Sequence, residues 1–143
     1  MSLTEALNDC ATFNSDAEVA RFSKILRDMA QTRDTQYLPV MLSHLDDDCE
    51  YGDVMKEIIG MAESFDPANY VEAVIEVTDS LKEKASDWLE SIHYRIFNSP
   101  EYTKLYRAAL AQSANKAAIK SYLQDFLANN PEKQSEVDSV LAG

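Results

Sequence analysis

Glycine is nearly missing from this chain: Gly52, Gly60 and Gly143 are the only three among 143 residues. Tight hairpin turns and glycine-cradled phosphate loops need backbone positions with positive φ, which glycine adopts without steric cost. The shortage argues against a hairpin-rich β fold and favours helices joined by short polar turns. Cysteine is sparse as well. Cys10 and Cys49 form no CxxC pair and nothing around them marks an oxidising compartment, so both are read as reduced thiols of a cytoplasmic protein. Cys49 lies between Asp48 and Glu50, whose charges oppose the thiolate a nucleophile needs; a half-buried small residue is expected there. No apolar run approaches the ~20 residues of a membrane span. The opening MSLTEALNDC has neither a basic n-region nor an apolar h-region, so export by its own signal is not expected.

The most informative shortage is of cations in the first half. Residues 1–80 hold 17 Asp and Glu against 5 Lys and Arg, whereas residues 81–143 hold 8 of each, so the first half carries the whole net charge of −12. Between residues 44 and 79, 11 acidic side chains face a single cation, Lys56. Such a surface repels nucleic acid and anionic membrane and steers a basic partner towards itself. Acidity alone also serves solubility; its concentration in one region is what points to binding.

What is present reads as helix. The length fits one domain over residues 1–143, able to bury roughly 70% of the surface its unfolded chain exposes, and 45% apolar with 27% charged residues is ordinary globular usage. Ser2 with Glu5 and Ser15 with Glu18 have capping-box spacing. Asp66-Pro67, Ser99-Pro100 and Asn130-Pro131 each set a capping residue before a proline at the first helical position. Apolar stripes with i, i+3, i+4, i+7 spacing, such as Val54, Met55, Ile58, Ile59, Ala62 and Phe65, follow these starts. The pattern predicts an all-α fold of about nine short helices, near 3–13, 16–31, 36–46, 52–65, 67–83, 86–98, 100–112, 115–129 and 131–141. The β-branched segment 71–77 is assigned to helix on its length and neighbours. At an offset of 33 residues Tyr37, Leu38, Met41, Leu42, Met55, Ile59 and Pro67 match Tyr70, Val71, Val74, Ile75, Trp88, Ile92 and Pro100. This favours a HEAT-like stack of helical hairpins over an irregular bundle.

Asp46, Asp48, Glu50 and Glu57 occupy positions 1, 3, 5 and 12 of a calcium loop, but position 6 is Tyr51 and Gly52 comes one residue late. Helical patterning also resumes by Val54, so an acidic inter-helix turn, with Asp53 near a helix N-terminus, is the better account. His44 and His93 lack an i, i+4 histidine partner, and His93, beside Ile92, reads as a hydrogen-bonded, partly buried imidazole. Glu72 and Glu76 are like charges at i, i+4, which disfavour an isolated helix by roughly 0.2–0.5 kcal/mol and so call for a reason. No G-x-S-x-G, Walker A or G-x-G-x-x-G string occurs, and no enzyme activity, cofactor or metal is expected. Of the aromatics, Tyr51 and Tyr94 are expected off the core stripes, and Trp88, Tyr106 and Tyr122 in the core. Tyrosine beside carboxylate is interface chemistry.

The run Tyr37-Leu38-Pro39-Val40-Met41-Leu42, then Val54-Met55-Lys56-Glu57-Ile58-Ile59 and Glu63-Ser64-Phe65-Asp66, continues through Tyr70-Val71 and Trp88-Leu89 to Arg95-Ile96-Phe97-Asn98-Ser99. Together, over roughly residues 37–106, these resemble an all-helical family of bacterial immunity proteins, immunity protein 30. The resemblance implies a cytoplasmic antidote that binds a cognate toxin domain, such as that of a contact-dependent growth inhibition effector, and blocks its active site or substrate entry. Many such toxins are nucleases with basic surfaces, where carboxylates can stand in for phosphates. The expected partner-binding residues are Asp46, Asp47, Asp48, Glu50, Tyr51, Asp53, Glu57, Glu72 and Glu76. A generic helical-repeat adaptor is the alternative, and a metal-dependent enzyme built on the aspartate turn a distant third.

Overall fold

The hydroxyls of Ser2 and Ser15 accept from the amides of Glu5 and Glu18 at 3.1 and 3.2 Å and open the first two helices of a computed structural model that describes residues 1–142. The elements are α1 (Leu3–Cys10), α2 (Asp16–Thr32), α3 (Tyr37–Leu42), α4 (Gly52–Glu63), α5 (Pro67–Lys84), α6 (Ser86–Phe97), α7 (Pro100–Ala111), α8 (Lys116–Asn129), a 3-10 turn (Pro131–Lys133) and α9 (Gln134–Leu141), with no strand among the described residues. The fold is therefore all-α, and segment 71–77 is helical. None of these helices is long and apolar enough to cross a membrane.

Local details depart from the sequence pattern in instructive ways. The Glu18 carboxylate accepts from the amide of Asn14 at 2.8 Å and the hydroxyl of Thr12 at 3.3 Å, so it fastens the preceding turn rather than closing a box on Ser15. Of the three residue-proline starts only Ser99 caps with its side chain, accepting from the Tyr102 amide at 3.2 Å. Asp66 makes no capping bond. Asn130 turns inward and donates to Glu90 and to the Phe126 carbonyl, while Pro131 opens the 3-10 turn ahead of α9. The third helix ends at Leu42, short of residue 46, because His44 and Leu45 pass into successive tight turns.

Positive φ falls on Phe13 and Arg33 and not on any described glycine. Arg33 ends α2 in the left-handed conformation, where glycine is usual. Its strain of about 1 kcal/mol is offset by a 2.9 Å bond from its guanidinium to the Ser64 carbonyl and by the Phe65 ring beneath it.

In the packing, α3, α5, α7 and α9 lie in one row, each against the next, while α2 rests on α4 and carries α1. The 33-residue offset carries α3 onto the first half of α5 and α4 onto α6 along the sequence. Regularity ends at α8, which packs back across α5 and reaches α9. At the centre, α5 buries Tyr70, Val71, Ala73, Val74, Ile75, Val77, Thr78 and Leu81. The Thr78 hydroxyl is satisfied by the Val74 carbonyl at 2.7 Å.

The core also encloses an imidazole. His93 is fully buried, not partly, among Phe97, Tyr106, Tyr122 and Phe126. Its Nδ1 lies 2.9 Å from the Leu89 carbonyl, which can only accept; Nδ1 therefore carries the proton, and Nε2 accepts from the Tyr106 hydroxyl at 2.9 Å. Tyr106 is fully buried as its spacing predicts, but Trp88 and Tyr122 are only half-buried at the core's edge. Tyr51 and Tyr94 are likewise half-buried.

Burial pushes the His93 pKa down to about 4. Below the unfolded value near 6.5 the unfolded chain takes up a proton that the folded chain refuses until about pH 4, so stability falls as pH falls through that interval, by up to about 3 kcal/mol. Denaturation series at pH 6.5 and 5.5 will show a steeper loss for the wild type than for His93→Gln. Equal losses would contradict an enclosed neutral imidazole.

Candidate functional site

Between α3 and α4 the chain is too acidic to pack and turns back at the surface. Asp46 Oδ1 accepts from the Asp48 amide at 2.8 Å, and the Cys49 amide donates to the Asp46 backbone carbonyl at 3.2 Å, so a single residue closes the turn with its side chain and its backbone. Helix α4 then begins at Gly52, with Tyr51 at its N-cap and Asp53 in its first turn, where a carboxylate complements the helix dipole. Asp48, Glu50 and Asp53 are exposed and belong to no ion pair among the described residues.

A cleft of about 520 Å³ lies between this turn and the α1–α2 connection, lined by Asp46, Asp48, Glu50 and Tyr51, by Thr12 and Phe13, and by His44 and Lys84. The Tyr51 ring stands edge-on to Phe13 at 5.5 Å, Phe13 to Phe22 at 5.0 Å, and Phe22 to His44 at 5.5 Å. Tyr51 is thereby tied to the core while one side of it faces the cleft. Burial, and then the Lys84 charge, lower the His44 pKa and favour its neutral form. Cys49 is a free, half-buried thiol. The calcium-loop carboxylates do not converge: Glu57 rides on α4, and no three His, Cys, Asp or Glu side chains among the described residues are grouped to hold a metal ion.

Asp47 and Glu57 are engaged within the chain. The Asp47 carboxylate accepts from the amides of Asp87 at 2.9 Å and Trp88 at 3.3 Å, and the Asp47 amide donates to the Lys84 carbonyl at 2.8 Å. Helix α6 starts after Ala85, which has no side chain to cap with; Asp47 supplies that cap from 40 residues away. Glu57 Oε2 lies 3.6 Å from the Arg27 guanidinium, and its other oxygen is buried without a partner.

Glu72 and Glu76 form a separate face. They stand exposed on α5 along one wall of a groove of about 690 Å³, opposite Leu105, Ala108 and Ala109 of α7. The groove ends at the 112–115 turn, where the Asn115 side-chain Nδ2 donates to the Ile75 carbonyl at 3.3 Å. Residue 76 precedes Lys84 by eight positions, which sets the two acidic faces roughly 12 Å apart along the α5 axis. The nine residues expected to bind a partner therefore divide into an exposed acidic turn, two internally engaged carboxylates and a glutamate-walled groove.

With this geometry in view, the family model of immunity protein 30 matches residues 9–106, from the end of α1 into α7. The chain belongs to that family and is an immunity protein, whose partner is a toxin. No curated protein and no solved structure matches it.

The cap on α6 sets Asp47 apart from its exposed neighbours within one acidic string. Asp47→Ala will lower unfolding stability by about 1–2 kcal/mol, while Asp48→Ala will change it by no more than about 0.5 kcal/mol; denaturant titration followed by the fluorescence of Trp88, which sits at the capped end, measures both. Equal effects of the two changes would refute the assignment.

Proposed function

We propose that this immunity protein neutralises a nuclease-type toxin domain, of the kind carried by contact-dependent growth inhibition effectors, by covering its basic substrate-binding surface. The observation that carries the reading is the acidic turn: Asp48, Glu50 and Asp53 project into solvent without a cation of their own, beside a tyrosine whose ring is braced by Phe13. Carboxylates so placed can occupy the positions of substrate phosphates and accept charge-assisted hydrogen bonds from Arg and Lys. The braced Tyr51 adds rigid contact area at small entropic cost. Asp46 acts by closing the turn and Asp47 by anchoring it to α6, so both shape the surface. Glu57 adds its charge from within its pair with Arg27. Glu72 and Glu76 extend the acidic face along α5, where a basic side chain relieves their mutual repulsion and lays its aliphatic stem on the alanines of α7. That relief is the reason two like charges one helical turn apart are tolerated.

The test leaves Asp46 and Asp47 intact, because reversing them perturbs the fold as well as the charge. Asp48→Lys, Glu50→Lys and Asp53→Lys combined will weaken binding to the cognate toxin domain by tenfold or more at low salt and flatten the salt dependence, as read by titration calorimetry over a range of ionic strength. Unchanged affinity and salt slope would remove the acidic turn from the interface.

A further inference from the structure

Three of the segments that carry the family resemblance, those holding Glu63, Tyr70 and Arg95 to Ser99, meet at a place apart from the acidic turn. Glu63 at the end of α4, Tyr70 on α5, Arg95 and Asn98 at the end of α6, and Ser99 and Tyr102 at the start of α7 line a cavity of about 450 Å³. Tyr70 is 2% exposed, and its hydroxyl has no hydrogen-bond partner. An unpaired buried hydroxyl is costly, and most buried polar groups in folded proteins are satisfied. Its own core offers it no acceptor.

The other groups of the cavity show what is wanting. Glu63 is saturated by Arg95, whose Nε donates to Oε2 at 3.1 Å and whose Nη2 donates to Oε1 at 2.8 Å and Oε2 at 3.0 Å. Asn98 Oδ1 accepts from Lys133, and Ser99 Oγ accepts from the Tyr102 amide. The acceptors are thus taken. What remains is a set of donors without acceptors among the described residues: the hydroxyls of Tyr70, Ser99 and Tyr102, the Asn98 Nδ2 and the Arg95 Nη1. The Arg95 side chain is 63% exposed, so the edge of its guanidinium that Glu63 leaves open is reachable from solvent. Burial, with Glu63 nearby, raises the Tyr70 phenol far above its ordinary value, which keeps it a donor at physiological pH.

We propose that this cavity is a carboxylate-binding site: an Asp or Glu side chain of the partner pairs with the Nη1–Nη2 edge of Arg95 and accepts the Tyr70 hydroxyl. Arg95 then bridges two carboxylates through its two forks, a geometry its five fixed donors allow and a lysine cannot reproduce. The partner contact is opposite in sign to that at the acidic turn, and such a contact fixes register between two surfaces that attraction alone would leave free to slide. That the carboxylate belongs to the toxin rests on the function proposed above; the chemistry of the cavity does not.

The experiment is an NMR titration of the full chain with N-acetylglutamate amide, and with N-acetylglutamine amide at matched ionic strength, following the Arg95 Nε–H and the Tyr70 and Tyr102 rings. The glutamate probe will bind saturably in the millimolar range, the glutamine probe will bind markedly more weakly, and Tyr70→Phe and Arg95→Lys will each weaken the glutamate probe roughly fivefold. Tyr70→Phe retains the ring and removes only the unpaired hydroxyl, so it will fold with an unchanged or higher Tm. No saturable response, equal binding of the two probes, or undiminished binding by Tyr70→Phe would overturn the assignment. Because the titration contains no toxin, such a failure refutes the cavity alone and leaves the acidic-turn reading to its own test.

Discussion

The burial of α5 is the constraint on which the other elements depend. Between residues 70 and 79 every side chain of this helix is buried except Glu72, Glu76 and Asp79, which form one narrow stripe. Helices α3, α4, α6, α7 and α8 all pack on it, so its two ends set where the neighbouring turns emerge. At its C-terminal end Lys84 donates its ammonium to Ser43 and offers its carbonyl to the Asp47 amide, which pins the acidic turn against the helix. Along its exposed stripe it presents glutamates to the groove shared with α7. At its N-terminal end it carries Tyr70 into the cavity beside Arg95. Three distinct surface features are thus placed by one helix whose apolar side chains cannot leave the core.

The division of charge follows from the same packing. The buried titratable groups are ones that stay neutral: His93 is held below its ordinary pKa, and Tyr70 and Tyr106 above theirs, by burial. Most of the excess carboxylates, Asp48, Glu50, Asp53, Glu72 and Glu76 among them, instead stand exposed to water, where their mutual repulsion persists. The ion pairs of the described residues are surface contacts at 2.8 to 3.6 Å, of modest worth to stability. An acidic face maintained at the expense of self-repulsion adds nothing to the stability of the fold, which comes from its apolar interior.

Much of this was legible in the sequence because helix signals are local. The hydroxyls of Ser2, Ser15 and Ser99 bond to amides three residues on, and the apolar stripes repeat within a few turns, so elements and core emerge from short windows. Contacts that join distant segments were not legible. Asp47 caps a helix 40 residues ahead, and its neighbours in sequence make it look like one more exposed acid. Proline after Asp66 or Asn130 suggests the same cap as after Ser99, yet Asn130 is drawn inward by Glu90 of another helix. Trp88 has core spacing but lies at the end of α6, where the stripe runs out of partners. The Tyr70 cavity was invisible for the same reason: Glu63, Tyr70, Arg95 and Tyr102 come from four helices, and only the packing reveals that a hydroxyl has been left without an acceptor.

The central claim, that this fold exists to hold a toxin, is tested most directly in cells. A strain expressing the cognate toxin domain is grown with and without the immunity protein, each under separate induction. The account predicts arrested growth with the toxin alone and restored growth when the wild-type chain is present. Toxicity that a well-folded, co-expressed chain fails to relieve would contradict it.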